Sequence, residues 1–474
     1  MQLGALRVIG GSLLTFAIVW ALVLGWWQSN DTEPSKLDLA LYLGAFPVAL
    51  IGGYLLLRSF IEHLKAPQTA IKVDAPVLQD DDPLSAASAK TAALERAFTI
   101  CLVDGFVVTA VGVSADDVLG AVSTGQRPEP SFRLSDEAGF PVFLAAVDDL
   151  DVEGMIEKIS GGISLMHELA DHDDIVRALA LLDRLLGEVQ ERLNPLLVQS
   201  AELLKLHVMW LLPSNWSGSL FAGLTIWLQL NYWPDLGREQ LKISLIPVAN
   251  EVDALMHVDD VILQLNRDPA NNELILLLGA VSAVDEKTVE NRLACNILFS
   301  AKHQDRKIPG EGAVGLLLAS RPTAERLESA ELTIVSRVSM GGRNKPIDAG
   351  GRINGKLIEQ LLVGLLDVTG IENGQIKSML FDADHRANRV SEAMEGVGQT
   401  LEHLDPIEDC HAIGTVTGDL SPIGSLIALA CARSKVLATE APVLCLSNQH
   451  ERDRALVLAM PHIANPKLNQ AALS

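Results

Sequence analysis

Two long uncharged runs open the chain, Val8–Trp27 and Leu39–Leu57. A bilayer span needs roughly 20 apolar residues at about 1.5 Å each, and both runs reach that length. Pro47 and the pair Gly52-Gly53 interrupt the second run, as membrane helices tolerate. Trp26, Trp27, Tyr42 and Tyr54 lie near the ends, where amphipathic rings favour the headgroup level. No small-residue cleavage site follows the first run, so it reads as an anchor and not a signal peptide. The pattern predicts a transmembrane helical hairpin within residues 1–65. Arg7, Arg58, Lys65 and Lys72 flank the pair, while the connector Gln28–Asp38 holds only Lys36 among Asp31, Glu33 and Asp38. Positive flanks stay inside, which places both ends in the cytoplasm.

Residues 66–95 read as a solvated linker, with Pro67, Pro76, Pro83 and the acidic run Asp80-Asp81-Asp82. Beyond it, helical and strand periodicities alternate. Phe98–Val111 reads as a strand or strand pair, Asp174–Leu206 as a helix and Leu206–Leu212 as a strand. Asn250–Leu265 is helical and Leu274–Leu278 is a buried strand. The alternation then repeats, with helices at Ile353–Leu366, Asn388–Leu401 and Leu420–Leu437, the last with Pro422 in its first turn. Strands are expected at Ile376–Phe381, Val443–Leu446 and Ala455–Ala459. Alternation of this kind predicts an α/β fold with a mainly parallel sheet covered on both faces, in two halves, 96–320 and 321–474. The Trp-rich stretch Trp210–Trp233 is broken by Pro213, Ser214, Asn215 and Gly218, so it reads as a buried or partner-facing segment.

Charge narrows the partners. A formal net charge of −23 repels phosphate backbones and anionic lipid, which argues against nucleic acid and against peripheral membrane binding. Contact with a membrane must then come from insertion. The five cysteines, Cys101, Cys295, Cys410, Cys431 and Cys445, are odd in number and widely spaced. They fit reduced thiols in a cytoplasmic domain, not a disulfide framework or zinc site.

The densest polar cluster after a strand is Asp382, Asp384, His385, Arg386 and Arg389, of which Asp382, Asp384, His385 and Arg389 make the candidate pocket. Its plainer reading is a helix N-terminus with Asp384 as cap and Arg389 paired to Glu392 or Asp384. Asp171-His172-Asp173-Asp174 reads as a cap with first-turn acids. His403 and His411 lack partners at metal spacing. The Gly-rich stretches Ser339–Arg343 and Gly350–Arg352 match no phosphate-loop motif and read as a flexible loop between the halves. Neither a metal nor a cofactor is expected.

Ile308–Ser320 reads IPGEGAVGLLLAS, and Gly414–Leu458 runs through a Gly-rich turn, a helix, APVLCLSN and RALVL. These segments, with Val107–Asp151 more distantly, resemble the β-ketoacyl synthases and other thiolase-like enzymes across Phe98–Pro461. The resemblance implies a duplicated five-layer αβαβα fold, usually a homodimer. It also implies a Cys nucleophile at the head of a buried helix and two His. In this chain the matching helix begins near Val248-Ala249-Asn250-Glu251, with no Cys. His385 stands nearest the first His, and Thr415 stands where the second should be. Without a thiolate no acyl-enzyme forms. The expectation is therefore a degenerate, non-catalytic, membrane-anchored scaffold or adaptor with protein partners. It is similar to accessory components encoded near bacterial contact-dependent (type VI) secretion genes. The alternative is an acyl- or CoA-binding or acyl-transferring enzyme.

Overall fold

A computed structural model describes residues 92–462, apart from 137–138, 163, 200–203, 238, 269–271, 301 and 328–330, together with a few positions between 19 and 47. Residues 1–88 and 89–474 form separate units.

In the larger unit the chain runs through β1 (Thr99–Thr109), a small hairpin of β2 (Glu129–Ser135) and β3 (Pro141–Leu144), and the long helix α1 (Asp173–Gln199). It continues through β4 (Lys205–Pro213), α2 (Phe221–Tyr232), β5 (Leu241–Val248), α3 (Glu251–Arg267), β6 (Glu273–Ser282), α4 (Glu286–Ala294) and β7 (Glu311–Ala319). The second part follows as β8 (Thr333–Ser336), β9 (Ser339–Gly342), α5 (Lys356–Thr369), β10 (Ser378–Phe381) and α6 (Ala387–Val397). It closes with β11 (Cys410–Ala412), α7 (Gly424–Thr439), β12 (Val443–Ser447) and β13 (Asp453–Pro461).

One sheet takes the order β11-β10-β12-β13-β8-β1-β7-β6-β4-β5, with β9 added on β13. Outward from the antiparallel β8–β1 seam, the two halves repeat. β1, β7, β6, β4, β5 on one side match β8, β13, β12, β10, β11 on the other. Pairing directions repeat too: β4 is parallel to β5 and β6, as β10 is to β11 and β12, and the other pairs are antiparallel. The sheet is thus mixed, not mainly parallel as the alternation predicted. Only five residues join β12 to β13, and a connection that short makes an antiparallel pair because parallel neighbours need a crossover.

Strands buried on both faces sort their side chains into different layers. Val208, Trp210 and Leu212 of β4 pack with α1 and α2, while Met209 and Leu211 face α3 and α7. In the second half Leu444 and Leu446 of β12 face α5 and α6, while Val443 and Cys445 face α7. Helices α3 and α7 therefore form a middle layer between two half-sheets, with helices outside each, giving five layers. Asn250 starts α3 where it does, because its side chain accepts from Val252 N and Asp253 N and serves two otherwise orphaned donors.

Three expectations change. Ser339–Gly342 is not a loop: it is β9, paired with β13, and a side chain at Gly341 would stand 2.9 Å from Leu357 Cδ1. Helix α7 begins at Gly424, since Leu420–Ile423 is a turn closed by Ile423 N to Leu420 O (2.7 Å), with Pro422 inside it. The Trp-rich stretch contributes α2, and Trp210, Trp216, Trp227 and Trp233 are all buried in the outer layer. Among the described residues no helix is long and apolar enough to cross a membrane; most of 8–27 and 39–57 lies outside them, as does most of 66–95.

Candidate functional site

The heads of α3 and α7 meet the chain leaving β10. Asp382, the first residue past that strand, is buried, and its carboxylate accepts from Ser447 Oγ (2.5 Å), Asn448 N (2.8 Å) and Gln449 N (3.1 Å). Burial, and then the charge of Glu251, nevertheless push it up to about 7. Glu251 is the first residue of α3 and 2% exposed; burial raises it as well, Lys307 opposes that and Asp419 adds to it. A Cβ built on Gly424, at the head of α7, would stand 3.6 Å from Asp382 Cβ and 3.9 Å from Glu251 Cγ, so both acids converge there. Ser425 Oγ donates to Glu251 O (2.7 Å) and ties the two helices together. The third buried acid behaves oppositely. Burial raises Asp419, but Lys307 and Arg292 outweigh it and hold the carboxyl at about 2. Lys307 Nζ lies 3.1 Å from its carboxylate.

The candidate residues named from sequence divide. Asp384 is buried, accepts from both Arg386 N (3.0 Å) and Arg386 Nε (2.9 Å), and is bound by Gln449 Nε2 (2.9 Å). Arg389 pairs with Asp348, not with Glu392 or Asp384 as the capped-helix reading had it. Fully buried Glu392 takes Arg343 and Arg454 instead. Asp384 is not the cap residue of α6; that position is Arg386, whose backbone N–H the Asp384 carboxylate accepts. His385 points away from these acids, with Nε2 at 3.1 Å from Gln304 O and its ring edge-on to Phe299. Glu251, Asp419, Lys307 and Arg292 were missed as site residues. For the two acids the available signal was a carboxylate set in an apolar run, as in IPVANEVDALM and VTGDLSPIG; the two cations gave none.

No protein-family model matches the sequence, and no curated protein does. Solved structures match along 77% of the chain. The fold is that of a ketosynthase. A type II polyketide synthase acyl-carrier protein in complex with its ketosynthase, bound to the hexaketide, matches at 9% identity over all of that chain, with TM-score 0.53. The ketosynthase from module 6 of the bacillaene synthase of Bacillus subtilis matches at 13% over 72% of its length, with TM-score 0.52. The ishigamide ketosynthase/chain length factor matches at 13% over its full length, with TM-score 0.51. At such identities the likeness is one of fold.

Within the ketosynthase-like fold the head of α3 carries Asn250 and Glu251 and no sulfur. Cys101, Cys431 and Cys445 are buried, and burial raises all three thiols, Cys101 to about 12; Cys410 is likewise raised to about 12, chiefly by burial. Cys295 is exposed at the end of α4. Thr415 Oγ1 donates to Ala412 O (2.6 Å), and His411 lies buried on β11, its proton affinity lowered by burial. His403 Nε2 lies 2.7 Å from Ile376 O. Among the described residues no three or more potential metal ligands cluster; Asp173 and Asp174 serve as first-turn acids of α1. The GEGA turn has a structural role. Glu311 is fully buried and takes Arg177 through two bonds, with Ser282 Oγ and Val147 N beside them. Gly310 has no room for a side chain, because a Cβ there would lie 2.2 Å from Thr417 O.

Proposed function

We propose that this chain is a ketosynthase-like binding and scaffold protein, not a thiol-dependent condensing enzyme, held at a bacterial inner membrane with its α/β domain in the cytoplasm. The observation that carries this reading is Glu251 at the head of α3. A carboxylate there cannot form the thioester that acyl condensation passes through, and every buried thiol is raised, the reverse of an activated sulfur.

The anchor rests on the two uncharged runs. In the N-terminal unit Trp20 Nε1 donates to Leu43 O (2.8 Å), which ties one run to the other. Trp20, Leu22, Trp26, Tyr42 and Phe46 are exposed there, as suits surfaces that meet lipid. A homodimer is supported by β5, an edge strand with Ile243, Leu245 and Ile246 half-buried beside an unpaired backbone edge. The other partners expected are membrane-held proteins, among them the type VI-like secretion components to which the sequence resemblance points. A tether confines the domain near the bilayer and raises its effective concentration for such partners.

The test is incubation of the full chain, in detergent, with acyl-CoA and acyl-carrier thioesters, followed by intact-mass analysis. No covalent acyl adduct is expected. An adduct on any of the five cysteines, or thioester turnover abolished by Glu251→Gln, would replace the scaffold with an enzyme.

A further inference from the structure

Beside the acid cluster lies a cavity of about 750 Å³, and its wall carries four cations in a chain of net charge −23: Arg292, Arg306, Lys307 and Arg386. They come from separate stretches: α4, the segment before β7, and the loop between β10 and α6. Two acids in the same wall are already served. Asp419 holds Lys307 Nζ (3.1 Å), and Asp348 holds Arg389 and Asn388 Nδ2 (2.7 Å). The other two acids are exposed, Asp305 and Glu451.

Three guanidinium nitrogens are left over. Arg386 Nη2, Arg292 Nη1 and Arg306 Nε are buried atoms with no hydrogen-bond acceptor. Arg292 Nη1 stands 3.5 Å from Asp419 Oδ2 and Arg306 Nε 3.8 Å from Asp305 Oδ1, contacts that lend charge without a hydrogen bond. Arg386 is the firmest of them. It is 6% exposed, and Asp384 grips its Nε at 2.9 Å through both oxygens, which orients the planar group and leaves Nη2 unserved. Gly350 and Gly351, at φ 71° and 105°, form part of the wall and leave the cavity side-chain-free there.

We propose that this cavity binds an anionic small molecule through a phosphate or carboxylate group held by Arg386, Arg292, Arg306 and Lys307. Buried guanidinium donors call for acceptors, and the planar fork matches the oxygens of either group. A cavity of this size takes a molecule larger than the anionic group alone. The site goes beyond the scaffold reading, since it names a ligand class for this chain with or without catalysis.

The test is calorimetric titration of the full chain, in detergent at low salt, with inorganic pyrophosphate and, separately, citrate. One saturable site per chain is expected for at least one probe, weakening as salt rises. Pyrophosphate alone binding assigns a phosphate ligand, and citrate alone a carboxylate. Arg386→Gln and Arg306→Gln should each weaken binding by about tenfold or more, as loss of a charge-assisted contact does, and the distant surface change Lys158→Gln should not. Arg306 is 38% exposed in its side chain, so its variant keeps the test decisive if Arg386→Gln fails to fold. Failure of both probes to bind the wild type would overturn the proposal. So would binding unweakened by Arg306→Gln.

Discussion

Replacing Arg177 by Met removes the cation bonded to Glu311 while keeping a side chain of similar length. Glu311 is 0% exposed and takes Arg177 Nε at 2.8 Å and Arg177 Nη2 at 2.6 Å. After the change each carboxylate oxygen keeps one donor: Ser282 Oγ (2.8 Å) on one and Val147 N (2.8 Å) on the other. The charge itself stays buried and uncompensated. Two charge-assisted bonds at about 1.5–3 kcal/mol each bound the loss at roughly 3–6 kcal/mol. Breaking a buried pair by removing one partner costs about 3–5 kcal/mol, and that is the expected value. Adding Glu311→Gln to the same chain removes the stranded charge and should recover about 2 kcal/mol. Urea unfolding of the full chain, followed by tryptophan fluorescence, reads the effect; Trp210 and Trp227 are fully buried in the outer layer that α1 helps to form. A loss below about 1 kcal/mol for Arg177→Met, or a double variant as unstable as the sum of the singles, would refute this account of the GEGA turn.

Three further outcomes follow from the same structure. The folded-state pKa of Asp382 lies above its unfolded value. Its contribution to stability is therefore complete below about pH 4 and lost progressively as pH rises through about 7, so Asp382→Asn should raise the melting temperature at pH 8 and leave it nearly unchanged at pH 4. A rise of equal size at both pH values would show that burial of charge is not what perturbs this group. In thiol titration of the native protein Cys295 alone should react rapidly, and the buried Cys101, Cys431 and Cys445 only after unfolding; prompt labelling of any of these three would contradict the burial described. Lys in place of Ile243 or Leu245 on the β5 edge should convert a dimer to monomer in light scattering, and an unchanged mass would remove that edge from the interface.

Much of the core was legible in the sequence, because burial on both faces writes itself as unbroken apolar runs, Val208–Leu212 and Leu274–Val281. The helix at Asn250 was legible through its apolar positions, and the Gly-Glu-Gly-Ala segment that opens β7 through the resemblance to β-ketoacyl synthases. Pairing direction was not: nothing in the side chains of β12 and β13 states that they run opposite ways, and only the short link between them does. β9 escaped because Gly341 marks close packing against Leu357, a neighbour that sequence does not reveal. At the site, Asp382, Asp384 and Arg389 were legible as a local cluster. The pairing of Arg389 with Asp348 spans 41 residues of chain, and no local spacing rule reaches that far. His385 was drawn in by adjacency and by the resemblance, in which it stands nearest the first His; consecutive loop residues need not face the same way.

The seam between β1 and β8 joins Thr99–Leu102 to Thr333–Ser336, strands separated by more than two hundred residues of chain. Severing the covalent connection between β7 and β8 would leave both pieces clasped along this seam and through the Ser425–Glu251 bond in the middle layer. The two halves are thus held together by contact as well as by the backbone, and they share one core in the middle layer. Produced as separate fragments in one cell, they should find each other and reassemble.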